Sequence, residues 1–312
     1  MTGLDGLDGW ERLDPALGAV ATTRTNFSLD AIQLMREPFN DRRREAAALT
    51  DVSGLQIADH TARAETASVP VRVYRGGQTE PAPVVVYCHA GGFALGNLDT
   101  DHRQCVELAR RGGCTVVSVD YRLSPEHPYP APLDDAVTAL RWVATNAAEL
   151  GIDPARIAVA GSSAGATLAA GLAHGGADGW LPPIVFQLLH QPVLDDRATA
   201  SKAEFATSPA FDGEAAELMW RYYLGSDAGS ATAVPARRSQ FGGLPDTVIT
   251  CAEIDPFRDE AIEYAQRLLR AGVSTELHVF ARTCHGFDSL LPDWSASRRL
   301  FELQGDVLRR LL

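Results

Sequence analysis

A short apolar run, Arg156-Ile157-Ala158-Val159-Ala160, leads directly into Gly161-Ser162-Ser163-Ala164-Gly165, and the residues that follow are dominated by alanine, glycine and leucine. This order predicts a buried strand, a sharp turn and a helix packed under a sheet, with Ser163 at the turn. A serine hydroxyl is a poor nucleophile unless it is held clear of its neighbours and offered to a base. A strand-to-helix turn does this by forcing the serine into a strained backbone geometry. That geometry is tolerable only where the positions two before and two after lack a bulky Cβ. Gly161 and Gly165 meet the demand. The plainer alternative, a buried helix and nothing more, is compatible with the chemical one.

At 312 residues, with 46% hydrophobic and 22% charged side chains, the chain has the composition of a globular protein with a sizeable core. Its net charge of -12 argues against nucleic acid as a partner, since neutralising phosphates takes a basic face. Residues 1–20 carry four acidic side chains and no cationic stretch followed by an apolar core, so no signal peptide is expected. No apolar run approaches the length of a bilayer span, and no membrane partner is expected. Cys88, Cys105, Cys114, Cys251 and Cys284 form an odd set without a C-x-x-C pair, which fits reduced thiols in the cytoplasm better than disulfides or a zinc site. Lys202 is the only lysine, against 27 arginines. That excludes a phosphate-binding loop, which needs Gly-Lys-Ser/Thr, and a Ser-x-x-Lys hydrolase, because Ala166 stands three residues after Ser163.

From about Val71 onward, short β-branched runs alternate with helical segments. The pattern predicts a mostly parallel sheet with helices on both faces. Strands are expected at Val71–Tyr74, Val84–Cys88, Thr115–Asp120, Ile157–Ala160, Ile184–Leu189, Thr247–Ala252 and Glu276–Ala281. Helices are expected at Asp101–Arg111, Leu133–Glu149, Ala164–His174, Pro256–Ala271 and Ala296–Leu311. Two stretches break the alternation: residues 1 to about 60, helical at Ser28–Ala48 and then leading into the first edge strands, and residues 195 to about 240. No linker-like composition sets them apart. The expectation is one domain over residues 1–312, with about 1–50 and about 195–240 folded as a cap over the carboxyl ends of the strands. The echo GLDGLDG at Gly3–Gly9 is too short for a repeat architecture.

His89-Ala90-Gly91-Gly92-Phe93 follows the strand at Val84–Cys88. Adjacent glycines let the main chain approach a reacting centre and aim N–H groups at one point, as a developing oxyanion requires; alone, the stretch also reads as a Gly-rich turn. Further stretches stand in order along the chain: Gly96-Asn97-Leu98-Asp99-Thr100, the proline-rich Asp120 to Pro132, Asp255-Pro256-Phe257-Arg258-Asp259-Glu260, and His285-Gly286-Phe287. Together with the Ser163 turn, this set resembles the hormone-sensitive-lipase-like esterases of the α/β-hydrolase fold, from about Asp51 to the end.

The resemblance implies Ser163 as nucleophile, His285 as general base and Asp255 as the carboxylate that orients the imidazole. It also implies an oxyanion hole made by the N–H groups of Gly91, Gly92 and Ala164. The chain order Ser, Asp, His is the one this fold uses. Each assignment has a competitor. Asp255, before Pro256, also reads as a helix N-cap, and Glu253 and Asp259 are rival acids. His285 competes with seven other histidines; among them His278 lies within a strand, His127 among prolines, and His89 where it would brace the Gly loop. Asp120, Arg122 and Glu126 are expected to hydrogen-bond within the proline-rich segment. Lys202, Cys284 and the Arg309-Arg310 pair take only structural or solvated roles. Two positions depart from the family pattern: Ala90 replaces the first of three glycines, and Ser162 stands where aspartate or threonine is usual. Neither moves the nucleophile, since centring the motif on Ser162 would need a glycine at Ala160.

The implied activity is hydrolysis of small-molecule esters with short to medium acyl chains through an acyl-enzyme, with no metal or organic cofactor. Phe205, Phe211, Trp220 and Tyr223 are the aromatic residues expected to line the substrate pocket from the cap. A small-molecule receptor on the same fold, and an amidase, peptidase or acyltransferase using the same residues, remain as alternatives. A homo-oligomer also stays open.

Overall fold

The computed structural model describes residues 9–65, 67–227 and 229–312. Most of the GLDGLDG echo and the first residues of the expected cap therefore lie outside the described residues. Eight strands form one sheet: β1 (Gln56–Arg63), β2 (Ser68–Arg75), β3 (Ala82–Cys88), β4 (Thr115–Val119), β5 (Ile152–Ser162), β6 (Phe186–His190), β7 (Asp246–Ile254) and β8 (Thr275–Cys284). Their order is β1-β2-β4-β3-β5-β6-β7-β8. The pairs β1/β2 and β2/β4 are antiparallel and every other pair is parallel.

The period of two in β3 explains why helices cover both faces. Val84, Val86 and Cys88 belong to one buried cluster, with Leu133 and Leu140 of the helix Ala131–Thr145 and Leu168 of the helix Ala164–Ala177. Val85 and Tyr87 point the other way, into a cluster with Cys105 and Val106 of the helix His102–Gly112 and Val307 and Leu308 of the helix Ser295–Leu311. Every residue of β3, β4 and β6 is buried, as strands covered on both sides must be.

The expected α/β-hydrolase architecture is present, with local differences. β1 has no counterpart among the expected strands, because exposed residues on both of its faces (Gln56, Ala58 and His60 on one, Asp59 and Arg63 on the other) dilute the apolar alternation. The last but one long helix begins at Arg258 and not at Pro256. Arg122 bonds both within its segment, to the Ala131 carbonyl at 3.3 Å, and beyond it, whereas Glu126 bonds outside it. Arg122 grips Asp135 at 2.8 Å, and Glu126 takes a bidentate pair from Arg36 of the helix Leu29–Leu49, at 2.8 and 2.7 Å. Arg36 also donates to the carbonyls of Ala94 and Ser124, tying that helix to the Gly loop and the proline-rich segment. Lys202 is largely buried, 2.7 Å from Glu260 Oε2, and burial pushes the Glu260 carboxyl up to about 7 against the pull of that ammonium.

The two stretches that break the alternation meet. Ala210 accepts from Thr25 N–H and donates to the Thr23 carbonyl, and Arg24 pairs with Asp212 at 2.6 Å and Glu214 at 2.9 Å.

Candidate active site

Ser163, Asp255 and His285 are each the first residue beyond their strands, β5, β7 and β8. Parallel strands carry all three to one edge of the sheet, where folds of this kind bind ligands. The Ser163 hydroxyl donates to His285 Nε2 at 2.9 Å, and His285 Nδ1–H donates to Asp255 Oδ2 at 2.8 Å. Ser163 and His285 keep only 7% and 8% of their surface exposed, and Asp255 none. That dryness strengthens each electrostatic contact.

The turn at Ser163 has the strain its sequence predicts. Its φ is +55° and its ψ -121°, a region that costs a non-glycine residue on the order of 1–3 kcal/mol. The surroundings over-determine it, for Ser163 N–H donates to the His190 carbonyl at 2.8 Å. A Cβ at position 161 would lie 2.7 Å from Ala166 N, and one at 165 would lie 2.5 Å from the Cys88 carbonyl carbon. Neither position tolerates a side chain without moving backbone.

Gly91 and Gly92 have φ of +130° and +60°. Among the described residues, their N–H groups meet no protein acceptor. Ala164 opens its helix, so its N–H has no acceptor within the helix. The Ala90 N–H is spent on Asp101 Oδ2 at 2.8 Å, and Ala90 is not among the residues with positive φ, so the missing glycine there removes no free donor. Asp101 Oδ2 also accepts from Tyr87 Oη at 2.9 Å, and burial pushes this carboxyl up while the Ala90 N–H pulls it down. His89 braces the loop: its ring stacks on Tyr121 at 4.2 Å and its Nδ1–H donates to the Ala90 carbonyl at 2.7 Å. Burial pushes the His89 pKa down, which keeps the ring neutral.

The rival acids are engaged elsewhere. Glu253 pairs with Arg12 at 2.6 Å and accepts from Arg282 N–H, while Asp259 accepts from Ser201 N–H and Arg258. Asp255 is not the N-cap of the helix, a place that Phe257 takes: Oδ2 holds His285, and Oδ1 accepts from Phe257 N–H at 2.9 Å in the turn before the helix. His278 faces Glu276 at 3.3 Å.

A cleft of about 180 Å³ opens over the serine, lined by Ser163, His285, Gly91, Gly92, Phe27, Leu95 and Phe211 among others. The His285 ring packs against Phe211 at 5.7 Å and Phe257 at 5.2 Å, and those two rings meet each other at 5.7 Å. Of Phe205, Phe211, Trp220 and Tyr223, expected to line the pocket, Phe211 alone lines this cleft. Phe205 is buried between Arg12 and Arg258, and Tyr223 stacks on Phe93 at 3.8 Å with Trp220 beside it. Sequence reasoning missed Phe27, which meets Phe211 edge to face at 5.4 Å, and Gln191. Gln191, at φ +46°, accepts from Gly286 N–H and so fixes the residue after His285. Asp288 accepts from His190 Nε2–H at 3.1 Å behind the serine turn. No local motif announces either residue. No cluster of metal-ligating side chains occurs among the described residues.

A family model described as alpha/beta hydrolase fold matches residues 85–289. Carboxylesterase NlhH of Mycobacterium tuberculosis is 45% identical over 226 residues, 70% of this chain and 71% of that protein. Among solved structures, esterase LipW from Mycobacterium marinum is 65% identical with a TM-score of 0.95, over 97% of this chain and 96% of that one. A bacterial heroin esterase is 37% identical with a TM-score of 0.92, over 98% and 99%.

Proposed function

The chain belongs to the α/β-hydrolase fold family, as a hormone-sensitive-lipase-like carboxylic-ester hydrolase, and from that premise we propose that Ser163, His285 and Asp255 cleave esters of short to medium acyl chains. The observation that carries the assignment is the unbroken Ser163–His285–Asp255 chain of 2.9 and 2.8 Å beneath an apolar-walled cleft. His285 Nε2 takes the Ser163 proton as Oγ attacks the ester carbonyl. Asp255 holds the imidazole in the tautomer with Nδ1–H and stabilises its cation. The N–H groups of Gly91, Gly92 and Ala164 receive the oxyanion, each donor contributing about 3 kcal/mol to the barrier reduction. The imidazolium then protonates the departing alcohol, and water repeats the sequence in reverse on the acyl-enzyme.

The size of the cleft supports the acyl range. An apolar cavity of roughly 150 Å³ holds a benzene molecule, and the 180 Å³ here suits a chain of similar bulk. We read residues 1–312 as one domain in which the segments 1–50 and 195–240 form the cap. Phe27 and Phe211 are the residues it lays on the site. The five cysteines are buried and free, which supports a cytoplasmic setting. No helix among the described residues is long and apolar enough to cross a membrane.

A panel of 4-nitrophenyl acetate, butyrate, octanoate and palmitate, run beside butyryl 4-nitroanilide, tests the substrate range. Butyrate or octanoate gives the highest kcat/KM, palmitate falls at least about tenfold below it, and the anilide is slower than every ester. A preference for palmitate, or for the anilide, contradicts the proposal.

A further inference from the structure

A second groove, of about 280 Å³, adjoins the cleft and shares Arg43, Thr100 and Ser289 with it. Three of its acidic groups have cationic or imidazole partners of their own. Asp99 pairs with Arg72 at 2.7 Å, Asp293 with Arg103 at 2.6 Å and Asp288 with His190 at 3.1 Å. Asp101, which feels the charge of Arg43, is buried under the Gly loop with Tyr87 and Ala90 as its donors.

Arg43 differs from these groups. Among the described residues it is the one arginine lining the cleft, it is half-buried, and no carboxylate lies within ion-pair range of it, unlike Arg36, Arg44 and Arg72. Its guanidinium lies 5.0 Å over the Phe39 ring, which orients the planar fork without using its N–H donors. Its neighbour Arg44 is exposed and turned onto Asp41. A chain of net charge -12 repels anions at long range, so an anionic substrate needs a local cation to enter.

We propose that Arg43 is an anion subsite at the mouth of the cleft, selecting esters that carry a carboxylate in their acyl or alcohol part. This rests on the cleft being the site of ester cleavage. A bidentate guanidinium–carboxylate contact, partly shielded from water, anchors the remote end of the substrate while Ser163 meets its carbonyl.

The test compares matched pairs of esters in the wild type and in Arg43→Gln, Arg43→Lys and Arg43→Glu, with hydrolysis followed by titration of released acid. Monoethyl succinate against ethyl pentanoate places the anion in the acyl part; acetoxyacetate against propyl acetate places it in the alcohol part. In at least one pair, the anionic-to-neutral ratio of kcat/KM falls about tenfold in Arg43→Gln, mainly through KM, and further in Arg43→Glu. Arg43→Lys, which keeps the charge but not the planar fork, gives an intermediate ratio, and the pair that responds identifies which end of the ester reaches Arg43. Ratios that agree within roughly twofold between wild type and Arg43→Glu in both pairs overturn the proposal. So does a wild type that hydrolyses the neutral esters and neither anionic one. Either result leaves ester cleavage at Ser163 standing.

Discussion

Ser163→Ala lowers kcat for 4-nitrophenyl butyrate by on the order of 10⁶-fold, to the limit of detection, while leaving the folded protein intact. The size follows from the chemistry: without Oγ there is no acyl-enzyme, and what remains is hydrolysis by water oriented in a site that still offers oxyanion donors. The fold survives because alanine keeps the Cβ, and the only side-chain hydrogen bond lost is the 2.9 Å contact to His285. Binding persists, since the cleft walls at Phe27, Leu95 and Phe211 are untouched. Steady-state rates and a thermal unfolding curve check both halves. Retention of more than about a tenth of the rate contradicts the assignment.

Asp255→Asn lowers kcat by about 10⁴-fold with the imidazole still in place. In the wild type, the carboxylate accepts from His285 Nδ1–H, which leaves Nε2 free to receive the serine proton. An asparagine that turns its NH₂ toward the ring selects the opposite tautomer, whose protonated Nε2 cannot accept the serine proton. The substitution is otherwise mild, because the asparagine carbonyl oxygen continues to receive Phe257 N–H in the turn before the helix. Single-turnover rates against pH locate the defect in the chemical step. A loss below about tenfold assigns the orienting role elsewhere. Glu253 is poorly placed to take it, held by Arg12 and the Arg282 N–H.

The fold class was legible because parallel strands buried on both faces leave runs such as Pro83-Val84-Val85-Val86-Tyr87-Cys88 with no polar interruption. The serine turn was equally legible, since its steric demands fall on Gly161 and Gly165, within two residues of Ser163. What escaped the sequence depends on contacts between distant segments. Which of the four expected aromatics reaches the cleft is decided where Thr25 meets Ala210, 185 residues away. That junction sets Phe27 against Phe211, while Phe205, Trp220 and Tyr223 pack into interior clusters. Glu126 looks like part of a proline-rich scaffold until the helix Leu29–Leu49 brings Arg36 to it. β1 went unread because this edge strand exposes residues on both faces and so carries little apolar alternation.

In the proposed mechanism one hydroxyl, that of Ser163, is activated by the imidazole of His285. Reaction of the native protein with a fluorophosphonate, followed by mapping of the modified peptide by mass spectrometry, tests it most directly. The expected result is a single phosphonylated residue at Ser163, and no labelling in the His285→Ala variant on the same timescale. A tag on the adjacent Ser162, or labelling of Ser163 that proceeds as fast without the imidazole, would contradict it.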